Sequence, residues 1–151
     1  MQSIEDAIKQ PVFKSSLHRA TVNIVYTSAW LNQSTSQILR PLGLSLQQFN
    51  ILRILRGRAG KPATVKLLTE RMLDKMSNAS RLVDKLKEKG LVERQECPTD
   101  RRQVDIVITQ AGLDLIQRAS EAVEKKQANI LQRITEAEAN QLSYLLDKLR
   151  G

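Results

Sequence analysis

Between Lys75 and Lys85 the chain gathers Lys75, Ser77, Asn78, Ser80, Arg81 and Lys85, side chains that donate or accept hydrogen bonds or carry positive charge. That set suits duplex DNA, because hydroxyl, amide and guanidinium groups match base edges and ammonium groups match phosphates. Asn78 can bridge an adenine edge and Arg81 a guanine edge or a phosphate. Lys75 and Lys85 meet phosphates and carry little sequence information. Downstream, Cys97-Pro98-Thr99-Asp100-Arg101-Arg102 offers a second basic cluster. Here Arg102, with Arg101 beside it, would enter a narrow minor groove where negative potential concentrates. Asp100 would brace a neighbouring arginine, since DNA repels a carboxylate. Plainer readings stand beside these. Arg81 can pair with Asp84 or Asp100 at the surface, where such pairs contribute little, and Arg102 can sit on a solvated loop tip.

The elements that must hold these groups follow from hydrophobic spacing. From Lys75 to Lys89, Ala79, Leu82, Val83 and Leu86 fall at i, i+3, i+4 and i+7, which predicts a helix with one apolar face. Asp74 is the expected N-cap, and Gly90 stands where a left-handed residue ends a helix. A shorter helix, Val65 to Met72, is expected after Thr64. Beyond the glycine, Leu91-Val92-Glu93-Arg94 and Val104-Asp105-Ile106-Val107-Ile108 read as strands, with turn chemistry between them. Two helices, a tight turn and a basic hairpin make a winged helix-turn-helix: a mainly α fold with a small β-hairpin wing.

Charge agrees with this. From Arg53 to Arg102 there are 14 Lys or Arg against 7 Asp or Glu, a net of +7 within a chain whose net charge is +8. Neutralising phosphates releases condensed counterions, so a DNA-docking surface should concentrate positive charge. Charge alone would fit a solvated basic face. Joined to the helix, the glycine stop and the basic hairpin, it favours DNA.

The run Ser80-Arg81-Leu82-Val83-Asp84-Lys85-Leu86, then Glu88-Lys89-Gly90-Leu91-Val92-Glu93-Arg94, Pro98-Thr99-Asp100-Arg101-Arg102 and Ile108-Thr109-Gln110-Ala111-Gly112, resembles the MarR/SlyA family of bacterial transcription regulators. The strongest likeness covers Leu68 to Gly112. The resemblance implies a homodimer that binds a near-palindromic operator, usually as a repressor, and that releases DNA when a small ligand or an oxidant acts on it. It also places Arg81 and Arg102 at the recognition-helix and wing arginines important for DNA binding. Two positions depart from the family pattern: Leu73 stands where a glycine is usual before the recognition helix, and Cys97 where an aspartate is common.

Around a winged core at residues 45–109, residues 10–40 and 110–150 are expected to form dimerisation helices, the whole of 1–151 being one module. Leu17, Ile24, Leu31 and Ile38 recur every seven residues, a seam of the kind helices use to pack along one another. Pro41 and Gly43 end that helix, and Ser45 with Gln48 forms a capping box for the next, in which Leu46, Phe49, Leu52 and Ile54 or Leu55 face inward. Thr109 is expected to cap a helix from Gln110 to Ile134 carrying Leu113, Ile116, Val123, Ile130 and Ile134. Thr135 and Glu138 cap a last one with the stripe Leu142, Leu145, Leu146 and Leu149. A helix as long as Gln110 to Ile134 would reach roughly 40 Å, too far for a small winged core to cover. A homodimer is the expected partner, an intramolecular bundle the alternative.

For sensing, His18, Tyr26, Trp30 and Phe49 are the candidate ligand residues, although scattered aromatics also serve as core. Cys97, near Arg94, Arg101 and Arg102, is a candidate redox thiol or an inert surface one.

With 151 residues and 41% hydrophobic content the chain supports one core. No apolar leader or bilayer-length run is present, which points to a cytoplasmic protein without membrane contact. One cysteine and one histidine provide no metal cluster, no cofactor is expected, and no nucleophile with its base or phosphate-cradling loop marks an enzyme. The rival reading is a winged-helix module for protein interaction or RNA binding. Met76 is the residue on the basic surface that favours it.

Overall fold

The computed structural model describes residues 2–96, 98 and 104–151. Cys97, Asp100, Arg101 and Arg102, with the roles expected of them, lie outside the described residues. The chain divides into two compact units, one ending at Leu46 and the other beginning at Gln47.

The first unit holds α1 (Ile4–Ile8) and α2 (Ser16–Leu39). Ser3 and Ser15 cap them, accepting from the backbone N–H groups of Asp6 and His18. The sequence reading missed α1, whose single turn is too short to show periodicity. Arg19 on α2 bonds Glu5 on α1 and holds its carboxyl down to about 2, chiefly through that hydrogen bond. A 3-10 turn, Arg40–Leu42, follows α2, and Gly43 closes it with φ +69°, as the expected stop at Pro41 and Gly43 requires. Within the expected seam, Leu17, Ile24 and Leu31 are exposed and Ile38 is half-buried.

The second unit takes in α3 (Leu46–Arg56) from its second residue on, β1 (Ala63–Thr64), α4 (Val65–Arg71), α5 (Ala79–Glu88), β2 (Val92–Glu96), β3 (Val104–Ile108), α6 (Gln110–Leu131) and α7 (Glu136–Arg150). The strands pair antiparallel in the order β1-β3-β2, with Val92 opposite Ile108 and Ala63 opposite Ile106. The fold is thus mainly α, and this unit contains a winged helix-turn-helix. β1, a two-residue strand, was not foreseen because so short a piece shows no alternation; Thr64 ends it and also caps α4. Phe49, Ile51, Leu52 and Leu55 of α3, Leu68 of α4, Ala79, Val83 and Leu86 of α5, and Ile106 of β3 are buried. α6 ends at Leu131 rather than Ile134, since Thr135 and Glu138 form the capping box that opens α7 and the chain must turn before it. Leu142, Leu145 and Leu149 of α7 are exposed.

One residue ties this unit together. Thr109 donates its N–H to the Leu91 carbonyl (3.1 Å) and its hydroxyl to the Gly90 carbonyl (2.8 Å), while Oγ1 accepts from the N–H of Gly112 (3.1 Å). The end of α5, the start of β2 and the first turn of α6 are therefore fixed at a single node. Gly90 beside it has φ +69°, the left-handed stop read from the sequence.

Candidate nucleic-acid interface

The apolar face of α5 turns inward and leaves its polar residues outside. Ala79, Val83 and Leu86 are buried, whereas Ser80, Arg81 and Lys85 are exposed. The helix begins one turn later than the sequence predicted. Asn78, not Asp74, is its N-cap, with Oδ1 accepting the N–H of Arg81 at 3.0 Å. Both residues are chemically able to cap; the structure gives Asp74 a different task. Its Oδ1 accepts the N–H of Met76 (3.0 Å), and its Oδ2 accepts the hydroxyl of Ser77 (2.9 Å) and the amide of Gln47 (3.4 Å). Upstream, Asn50 of α3 accepts the N–H of Leu73 at 2.9 Å. The connection between α4 and α5 is thus a braced turn. Leu73, where a glycine is usual, needs no left-handed backbone, as it is absent from the positive-φ residues.

These bonds redistribute the roles read from sequence. Lys75 and Ser77 lie in the turn and not on the helix. The Lys75 ammonium meets the Glu70 carbonyl at the end of α4 (2.5 Å), which places its charge beside carbonyls that a helix leaves unpaired. Asn78 engages its oxygen in the cap, so the amide it turns outward is a donor, suited to a phosphate or a purine N7; the two-bond grip on adenine needs that same oxygen. Asp84 pairs with Arg94 of β2 at 2.6 Å, which links recognition helix and wing strand, and no described residue pairs with the Arg81 guanidinium.

Gln47, Asp74, Ser77, Asn78, Arg81, Leu82 and Lys85 line an open groove of about 440 Å³. Four of the expected contact residues therefore meet on one surface, at the N-terminal end of α5, where the first N–H groups of the helix also point outward. Sequence reasoning missed Gln47 and the bracing Asn50. Their signal is tertiary, because both sit on α3, far along the chain from the turn they hold.

The Asp74 carboxyl is held below the usual carboxylate range, first by the Ser77 hydroxyl and then by the Met76 N–H and the Gln47 amide. A depressed acid contributes fully above its unfolded value and loses that contribution as pH falls through the folded one. The turn is therefore set at neutral pH and loosens only in acid. Asp74→Ala is expected to lower the hydrogen-exchange protection of the Met76 amide at neutral pH to what the wild type shows only in strong acid. Equal protection in the two proteins at pH 7 would contradict the brace.

The candidate ligand residues are spread over both units. Phe49 is buried in the second, with the Arg53 guanidinium 5.7 Å from its ring centre, a packing position. Tyr26 and Trp30 are exposed on α2. His18 meets Phe13 edge-on at 5.6 Å, and its Nδ1 is buried without a partner among the described residues. Among those residues no His, Cys, Asp and Glu group fits a metal ion, and no helix is long and apolar enough to cross a membrane.

Comparison with known proteins matches residues 42–103, the winged region, to the model of the MarR family. The chain is 25% identical over 115 residues to the HTH-type transcriptional repressor IacR of Pseudomonas putida, spanning 76% of this chain and 68% of that one. Among solved structures it resembles the organohalide-sensing transcriptional regulator RdhR in its 2,4-dichlorophenol-bound form, with a TM-score of 0.80 and 25% identity over 90% of this chain and 80% of the other. Wild-type MarR of E. coli, in its apo form, gives a TM-score of 0.67 and 25% identity over 83% and 93% of the two chains.

Proposed function

We propose, from the premise that the chain belongs to the MarR family of transcription regulators, that it is a homodimeric repressor that grips a near-palindromic duplex operator and lets go when a small organic ligand binds. The observation that carries this reading is the meeting of Ser77, Asn78, Arg81 and Lys85 on one open groove at the start of α5. A helix that enters the major groove touches base edges with its N-terminal residues, and those are the residues gathered there. Arg101 and Arg102, between the two wing strands in sequence, belong to the proposal as the minor-groove arm.

The homodimer is supported by what the helices leave uncovered. Leu17, Val25 and Leu31 of α2 are exposed in one unit, and Leu142, Leu145 and Leu149 of α7 in the other, apolar side chains that a second copy would cover. Two-fold pairing would give two copies of the groove, matching two half-sites. The effector is supported by RdhR, whose structure contains 2,4-dichlorophenol. His18, Tyr26 and Trp30 are the proposed contacts on this chain.

The test is selection of duplexes from a random library by the full chain, with sedimentation of the complex. Enriched sites are expected to carry inverted repeats with centres about 10 base pairs apart, bound by two chains. Enriched sites without two-fold symmetry would remove the dimeric mechanism, and no enrichment over random competitor would remove DNA reading itself.

A further inference from the structure

The turn that precedes α5 carries two large apolar side chains in water, Leu73 at 84% exposure and Met76 at 93%. A lone surface methionine needs no explanation. This one has an unusual setting. Its N–H is bonded to Asp74 Oδ1, the next residue's hydroxyl is bonded to Asp74 Oδ2, and the turn is anchored upstream by the Leu73 N–H on Asn50. The backbone bearing Met76 is thus braced on both sides, and the side chain stands out from it into solvent. It also immediately precedes Ser77 and Asn78, which line the groove with Arg81.

We propose that Met76 is a specificity-determining residue that reads the 5-methyl group of thymine in the major groove. The inference rests on the DNA-reading role proposed above and deepens it. Every polar atom on a major-groove base edge calls for a donor or an acceptor, which a thioether supplies poorly; the apolar feature of that surface is the thymine methyl. An unbranched, polarisable side chain adapts to such a contact. The residues on either side cannot make it. Lys75 is turned to the Glu70 carbonyl, and Ser77 is bonded to Asp74. Because 5-methylcytosine carries its methyl at the same position on the ring, the same contact would make binding sensitive to cytosine methylation.

The experiment uses duplexes selected by the full chain and resynthesised with each thymine in turn replaced by deoxyuridine, which removes the methyl and nothing else. For the wild type, one thymine per half-site is expected to show a loss of roughly three- to fivefold on substitution, the effect of one buried methyl. Met76→Ala should bind that site with equal affinity in both forms, and Met76→Leu should keep the preference. A cytosine at the same position should gain affinity on 5-methylation with the wild type and not with Met76→Ala. Since the Met76 side chain is almost fully exposed, both variants should unfold at the wild-type temperature. A thymine preference that survives in Met76→Ala, or no methyl effect at any position, overturns the inference and leaves Met76 free for a protein contact. Enriched duplexes without a methyl effect sink this inference alone; no enriched duplexes sink it together with the DNA-reading role.

Discussion

Arg81→Ala is expected to cost the protein most of its preference for its own operator. On the proposed docking the guanidinium projects from the first turn of α5 into the groove that Ser77, Asn78 and Lys85 share, and no described residue competes for it, since Asp84 is occupied by Arg94. An arginine on a base edge carries about 1–3 kcal/mol of discrimination. Two half-sites double that, so specific affinity should fall by roughly 30-fold to about twenty-thousandfold while binding to random duplex changes far less. Lys85→Ala supplies the contrast. One turn further along the helix, it should weaken all duplexes alike and flatten the salt dependence by about one counterion per half-site. Competition titrations at two salt concentrations separate the two behaviours. If Arg81→Ala lowered specific and random binding equally, Arg81 would be a phosphate contact and base reading would have to come from elsewhere in the turn.

The two ends of α5 show how far sequence can be read. The apolar face of α5 was legible because its period is local: Ala79, Val83 and Leu86 turn inward and are buried, while Leu82, the fourth residue expected there, is half-buried at the edge of the groove. So was the stop at Gly90, where a left-handed residue was required. The start of the helix was not legible. Asp74 and Asn78 are both good caps, and the choice between them is made by Asn50 and Gln47, two residues of α3 that hold the turn from outside it. β1 escaped for the opposite reason, since two residues carry no pattern and the strand exists only because β3 is there to pair with it. Ile134 fits the spacing of α6 yet falls in the connection to α7, where the Thr135 capping box takes precedence over periodicity. Phe49, expected on the inward face of α3, is buried there. Where the determining contact lay within one turn, the sequence reading and the structure agree; where it came from another element, they part.

The second large effect tests the node on which the interface depends. Gly112 sits in the first turn of α6, and a Cβ there would lie 2.7 Å from Ile108 Cγ1 and closer still to the carbonyl oxygen of Leu91. The Ile108 side chain could shift, but the Leu91 carbonyl cannot withdraw: it is backbone, and it accepts the N–H of Thr109. Relief would have to come from moving α6 away from the α5-β2 junction, which breaks the bonds from Thr109 to Gly90 and Leu91. Gly112→Ala is therefore expected to destabilise by about 3 kcal/mol or more, at the upper end for overpacking. That would lower the melting temperature by roughly 6–12 °C for a chain of this length. Gly90→Ala is the control. Its φ of +69° makes alanine unfavourable by about 1–2 kcal/mol, but nothing lies within 4 Å of the added carbon. The expected order is thus the wild type above Gly90→Ala above Gly112→Ala. At temperatures where Gly112→Ala remains folded it should also bind operator more weakly, because the junction that sets α5 against α6 has been displaced. A Gly112→Ala protein that melts above Gly90→Ala would show that the α6 contact yields freely, and the node at Thr109 could then not be what holds the recognition helix in place.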